Sequence, residues 1–136
     1  MSANALGKLS TLVLSLGIAI LLVRVPAVAQ GEGQSLHVFV GKSVIINLQA
    51  PRERFFGRLI DIATYGVTVR GIDLNAFEDW MAHVLHREES GVQPNTVFFP
   101  IHRIEKIIMD EGIGALPSFS DTFLTKVGQA VEQYLE

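Results

Sequence analysis

This sequence predicts a mainly β fold with helical additions: five strands curled into a small closed barrel, one helix inserted between the third and fourth strands, and a second helix at the C-terminal end. Three observations carry that expectation. In "FFGRLIDIATYGVTVRGIDL" (55–74) two apolar, β-branched runs flank the short loop Thr64-Tyr65-Gly66, which is the pattern of a hairpin. Each run contains a glycine, Gly57 and Gly71, and a glycine inside a strand marks a bend or a close backbone approach. A barrel of few strands needs such bends. The hydrophobic period then changes: Phe77, Trp80, Met81, Val84 and Leu85 fall at i, i+3, i+4, i+7 and i+8, one face of a helix.

The elements follow in order. "VIINL" (44–48) reads as a first strand, and Pro51 breaks the run in the turn "QAPRER" (49–54). Arg54–Ala63 and Val67–Leu74 are the second and third strands. Val67 and Val69 share one parity in the third strand, whereas Ile72 and Leu74 share the other. A bulge at Gly71 would return both pairs to a single core face. The inserted helix spans Asn75–Glu89, with Asn75 as N-cap and Glu78 three residues on as in a capping box. "TVFFPI" (96–101) and "RIEKIIM" (103–109) are the fourth and fifth strands, and Pro100, lacking an N–H, marks the fourth as an edge. Ser118 or Ser120 caps a last helix running to Tyr134, its apolar side formed by Phe119, Phe123, Val127, Ala130, Val131 and Tyr134.

The chain of 136 residues divides into a leader (1–29), a linker (30–39), the barrel with its inserted helix (40–110, helix 75–89) and the C-terminal helix (111–136). The leader has Lys8 near its start, an apolar run from Leu12 to Val23, and Ala27-Val28-Ala29 as a small-x-small cleavage pattern. That is the layout of a secretory signal peptide cleaved after Ala29, which places the product in the periplasm or outside the cell. An uncleaved anchor is a second reading. An over-long start, which would leave the protein cytoplasmic, is a third. The apolar run is shorter than the roughly 20 residues of a comfortable membrane span.

The chain has no cysteine, which excludes disulfides, thiolate metal sites and a cysteine nucleophile. Of its 11 Lys and Arg, Lys8 and Arg24 lie in the leader, which has none of the 14 Asp and Glu; the remainder has 9 basic and 14 acidic residues, a net charge of −5. A nucleic-acid binder draws most of its affinity from a basic field. The overall balance argues against that class, leaving only a local patch as a route to it.

Gly57-Arg58-Leu59-Ile60-Asp61 followed by Val67-Thr68-Val69 resembles the Sm-like small barrels, whose second strand carries a glycine, then a leucine two residues on, then a hairpin into a third apolar strand. Ile101-His102-Arg103-Ile104 is similar to the lysine-histidine-x-isoleucine motif that joins the fourth and fifth strands of the bacterial Sm-like RNA chaperone. The resemblance spans about residues 40–110. The chain looks still more like a group of bacterial proteins that share this barrel and a "GVTVRGIDL" strand and have no assigned activity. The departures are specific. The loop that carries an acidic residue and an asparagine for RNA in the family reads Thr64-Tyr65-Gly66-Val67 here, and Ile101 stands where the motif has lysine. The resemblance implies an oligomer, and it makes Arg70, His102 and Arg103 the candidate partner or RNA contacts.

Other constellations yield less. Asp79, His83 and His86 share a helical face and are of types that ligate zinc, but without a motif such as H-E-x-x-H a solvated polar face is the better reading. Arg52, Arg54, Arg58 and Arg70 could form a basic stripe, yet Glu53, Asp61 and Asp73 interleave with them and suggest cross-strand ion pairs. Glu88-Glu89 and Asp110-Glu111 are acidic pairs at a helix end and in a loop, where solvation is the default. No nucleophile–base pair, metal set or cofactor motif emerges. The expected function is therefore a non-catalytic binding or assembly module, a homo-oligomer with an unidentified protein partner. An RNA-binding Sm-like oligomer is the alternative.

Overall fold

The computed structural model describes residues 36–88 and 91–136. The signal peptide expected at 1–29 and the first part of the linker lie outside the described residues. Five strands form one antiparallel sheet: β1 (Ser43–Leu48), β2 (Glu53–Ala63), β3 (Gly66–Asp73), β4 (Asn95–Pro100) and β5 (Ile104–Met109). Two helices accompany them, α1 (Phe77–His86) between β3 and β4, and α2 (Phe119–Val127) after β5. The strand order is β4-β3-β2-β1-β5. Mainly β with helical additions is thus the fold class. The sheet is not closed into a barrel, however: β4 pairs with β3 alone and β5 with β1 alone.

Connectivity nevertheless forces the sheet to curl. In a flat sheet the two outer strands of five would lie about 19 Å apart, four steps of about 4.8 Å. Here a single 3-10 turn, Ile101–Arg103, joins them. At about 2 Å per residue it reaches only about 8 Å from Pro100 to Ile104. The sheet must coil until its edges approach at that end.

The concave side holds Val44, Ile46, Leu48, Leu59, Val67 and Val69 as one buried cluster, to which Phe55, Phe99, Ile104 and Ile107 contribute. The opposite face holds Ile45, Phe56 and Ile72 under Phe77, Trp80 and Met81 of α1 and Phe123 of α2. The expected bulge at Gly71 does not exist. Gly71 sits in regular register opposite Gly57, and the register shift falls at Ile60, between Leu59 and Asp61. The change of parity along β3 has a simpler cause. Val67 and Val69 face the concave core and Ile72 faces the helices, so both faces are buried and both parities are apolar.

The two glycines stand side by side on the concave face, within a row that crosses the sheet from Asn95 through Gly71, Gly57 and Val44 to Met109. A methyl group on Gly57 would collide with the Arg70 carbonyl oxygen and lie 2.7 Å from the Gly71 Cα, and one on Gly71 would collide with the Phe56 carbonyl. Both obstacles are backbone and cannot rotate away. The glycines are therefore where two strands approach closely enough for the sheet to bend.

The helices depart from expectation at their ends. Asn75 does not cap α1. Its N–H donates to the Asp73 carboxylate (2.7 Å) in a 3-10 turn, Leu74–Ala76, that precedes a helix starting at Phe77. α1 ends at Arg87, which takes the left-handed conformation and whose N–H reaches back to the His83 and Val84 carbonyls. α2 has a reciprocal cap between Ser118 and Asp121. It stops at Gly128, left-handed at φ 81°, so the predicted run to Tyr134 is a helix followed by a 3-10 turn, Val131–Tyr134. Trp80 is buried, with its ring 4.8 Å from that of Phe123, and links the two helices.

Replacing Gly57 with valine tests the close approach. A β-branched side chain forced against two backbone atoms should destabilise the fold by about 2 kcal/mol or more. Urea denaturation measures this, and an unchanged midpoint would mean that the strands can separate at no cost.

Candidate interaction surface

The three residues singled out from the sequence do not form one site. Arg70 lies on the helix-facing side of β3, directly opposite Arg58 on β2, with its Nη1 3.4 Å from Thr96 Oγ1 and its Nε buried without a partner. It is four residues along β3 from the Gly66–Pro100 pair, or about 13 Å at the usual strand rise. His102 and Arg103 lie beyond that pair, in the turn joining β4 and β5. His102 is exposed, and its carbonyl accepts a hydrogen bond from Gln49 Nε2 (3.0 Å). Arg103 is already engaged: its Nη2 donates to Glu53 Oε2 at 2.8 Å, and its carbonyl accepts from the Gln49 N–H at 2.8 Å. Together these bonds fasten the β4–β5 turn to the loop between β1 and β2.

The expected ion pairs across the hairpin are not formed among the described residues. Strand alternation explains this: Arg54 and Arg58 share the helix-facing side with Phe56, whereas Glu53 points the other way and pairs with Arg103. Asp73 serves the turn before α1. On α1 the Asp79, His83 and His86 set does not converge, and among the described residues no three potential metal ligands do. The His83 Nδ1–H donates to the Asp79 carbonyl (2.6 Å), and its Nε2 lies 3.2 Å from the Glu88 carboxylate. Of the acidic pairs, Asp110 is structural: its carboxylate accepts from the N–H groups of Phe119 and Ser120 (both 2.8 Å) and from the Ser120 hydroxyl (2.6 Å), tying α2 to the end of β5.

What the structure does bring together is an apolar group at one sheet edge. The Ile101 N–H donates to the Tyr65 carbonyl (2.7 Å), and the Phe98 ring lies over Gly66, where a side chain would strike it. Tyr65 is 72% exposed, Phe98 49% and Ile101 54%, so three large apolar side chains face solvent around the end of β4. The ladder phase makes that edge available. Pro100 has no N–H, so its pairing with Gly66 is of the kind that exchanges no hydrogen bonds. By alternation, Phe99 and Val97 turn their backbone groups toward β3, and Phe98 and Thr96 turn theirs outward. Pro100 therefore removes a donor from the free edge without weakening β3–β4. On the opposite edge, the Asp110 N–H donates to the Ser43 carbonyl (3.0 Å), and the same alternation turns the backbone groups of Ile107 and Met109 outward. The sequence signal for both edges was there in the apolar parities of "TVFFPI" and "RIEKIIM"; the exposed position of Tyr65 at the same end was not legible.

No family model matches the chain, and neither a curated protein nor a solved structure matches it.

Removing the Arg103 side chain should loosen the joint between the sheet edges. Arg103→Ala is expected to lower stability by about 1 kcal/mol, the upper range for a partly exposed ion pair, and the loss should shrink in high salt. Urea titrations at two ionic strengths check this. A variant as stable as the parent at low salt would show that the Glu53 pair fastens nothing.

Proposed function

We propose that this chain is a non-catalytic assembly module, an open small barrel of Sm-like type that joins copies of itself through the edges of β4 and β5. One observation carries the reading. Each end of the sheet is a six-residue strand with outward backbone groups, and the β4 end is surrounded by exposed Tyr65, Phe98 and Ile101. Such edges pair with further strands unless something blocks them. β4 carries no charge to discourage pairing, and β5 offers a partner of equal length with Ile108 exposed beside it. Because the two edges differ, the contact is head to tail, and a constant rotation between copies closes a ring. The glycine-leucine strand, the short hairpin and the three-residue turn between β4 and β5 support the Sm-like reading.

The RNA-binding alternative has less behind it. Arg103 is held by Glu53, Arg70 stands apart from the turn, and the loop residues Thr64-Tyr65-Gly66 offer neither the family's acid nor its asparagine. The leader supports export, a setting in which a partner for assembly is easier to account for than RNA. Among the described residues no helix is long and apolar enough to cross a membrane.

Sedimentation at micromolar concentration should show an oligomer, and Phe98→Glu should shift it toward monomer by placing charge on the pairing edge. A parent that sediments as a monomer overturns the assembly reading. Sub-micromolar binding of unstructured RNA at low salt, lost in Arg103→Ala, would promote the alternative.

The leader makes a separate expectation. The mature protein should begin at Gln30, as mass measurement of the protein from its native host would show. Recovery of the intact 136-residue chain from the cytoplasm would remove the export argument.

A further inference from the structure

The geometry points to a second site, away from the edge contact: a cleft that takes a carboxylate flanked by an N–H group and an apolar side chain, the chemistry shared by a peptide C-terminus and a free amino acid. The cleft, about 510 Å³, lies on the helix-facing side where helical cover ends, and is lined by Asn47, Arg52, Arg54, Leu74, Glu105 and Phe119 among others. Clefts of a few hundred cubic ångströms are the size that holds small ligands.

Its chemistry comes from the strand register. Arg54, Asn47 and Lys106 are consecutive cross-strand partners on β2, β1 and β5, so their side chains share one face at neighbouring positions. Arg52 joins them from the β1–β2 loop. None of these three cations enters an ion pair among the described residues; of the two acids in the lining, Glu53 is taken by Arg103, and Glu105 remains. Arg52 and Arg54 are thus the cations of the lining left without an ion-pair partner, with Lys106 beside the cleft and outside its lining, and guanidinium groups suit planar carboxylates. Between the cations Asn47 makes no side-chain hydrogen bond, and its Oδ1 is buried. A buried acceptor without a donor is unfavourable, so a ligand whose N–H meets the Oδ1 after the Asn47 amide turns toward the cleft gains more than one that has no N–H. Leu74 and Phe119, both half-buried, form the apolar side.

An α-carboxylate with a nitrogen on the same carbon brings anion, donor and side chain together within a few bonds. Inorganic phosphate lacks the N–H, and a nucleotide holds its base N–H groups a full sugar away from the phosphate. Glu105 separates the two sources of the ligand. It is the extra residue where the β1–β5 register shifts, and its carboxylate lines the cleft. It attracts the ammonium of a free amino acid and gains nothing from an acylated nitrogen.

The full chain is titrated with N-acetyl-L-leucine, L-leucine, N-acetyl-L-leucine amide and uridine monophosphate, followed by calorimetry or amide NMR shifts. N-acetyl-L-leucine should bind with a Kd on the order of 1 mM, as its small size allows. Its amide, lacking the carboxylate, should bind at least about tenfold more weakly, and Arg54→Ala, a change at an exposed position, should weaken the acid by a similar factor. Asn47→Asp, which leaves the acceptor and adds repulsion toward the carboxylate, should do the same with little change of shape. Tighter binding of L-leucine than of the acetylated acid, reversed in Glu105→Gln, identifies a free amino acid as the source; the opposite order in the parent identifies a peptide C-terminus. Equal binding of acid and amide, preference for the nucleotide, or no saturable response at ten times the expected Kd overturns the proposal.

Discussion

The three residues between β4 and β5 constrain everything else in this fold. They connect the first and last strands of a five-strand sheet, across a distance that a flat sheet would not allow a 3-10 turn to span. Curling is therefore obligatory, and it has to be concentrated somewhere. The Gly57–Gly71 pair supplies the place, because without side chains the β2 and β3 backbones approach until no methyl group fits between them. The Arg103–Glu53 ion pair and the Gln49 bonds then hold the turn against the neighbouring loop. β4 pairs only with β3 and β5 only with β1, so the curled sheet still has two free edges.

Curling also creates the two-sided core. The concave side is narrow and fills with branched aliphatic residues. The convex side would be left bare, and the two helices cover it through an aromatic cluster. Phe77 meets Phe56 of the sheet and Phe119 of α2 edge to face, both at 5.3 Å, while Trp80 packs on Phe123. These contacts join sheet and helices without a polar group needing a partner in the centre. Asp110 supplies the polar fastening at the perimeter, where its carboxylate receives the first N–H groups of α2 as helix ends require. Cover stops beyond Phe119, and the cleft around Asn47 begins there.

Local signals in the sequence located the elements well and placed their meanings less well. Strand alternation, the hairpin loop, the apolar face of α1 and the close approach at Gly57 are all properties of neighbouring residues, and each is legible. The parity change along β3 was also visible, but its cause is burial on both faces, which depends on helices arriving from later in the chain; read locally, it mimics a bulge at Gly71. The C-terminal helix was extended past Gly128 because the apolar spacing continues to Tyr134 through the 3-10 turn that follows. Arg103 illustrates the limit for a site. Its partner Glu53 is 50 residues away, so a residue that fastens two loops looked like one free to meet a ligand. Asn47 shows the reverse, a polar residue inside "VIINL" whose significance appears only when Arg54 and Lys106 are seen on either side of it.

Assembly and ligand binding would make different demands on β5, and strand geometry keeps them apart. Edge pairing would use the main chain in the plane of the sheet, through the outward groups of Ile107 and Met109, whereas the cleft is lined by the side chains of Asn47, Arg54 and Glu105, which project out of that plane. A second copy can therefore add its strand without entering the cleft. The register shift at Glu105 is the point where the two meet. A bulge twists its strand and interrupts regular pairing, so an incoming strand would find its ladder beyond the shift, at 106–109, and leave the Glu105 carboxylate turned toward the cleft. The feature that would limit the length of an edge contact is thus the one that places an acid beside the arginines, and the two surfaces would share a strand without competing for the same atoms.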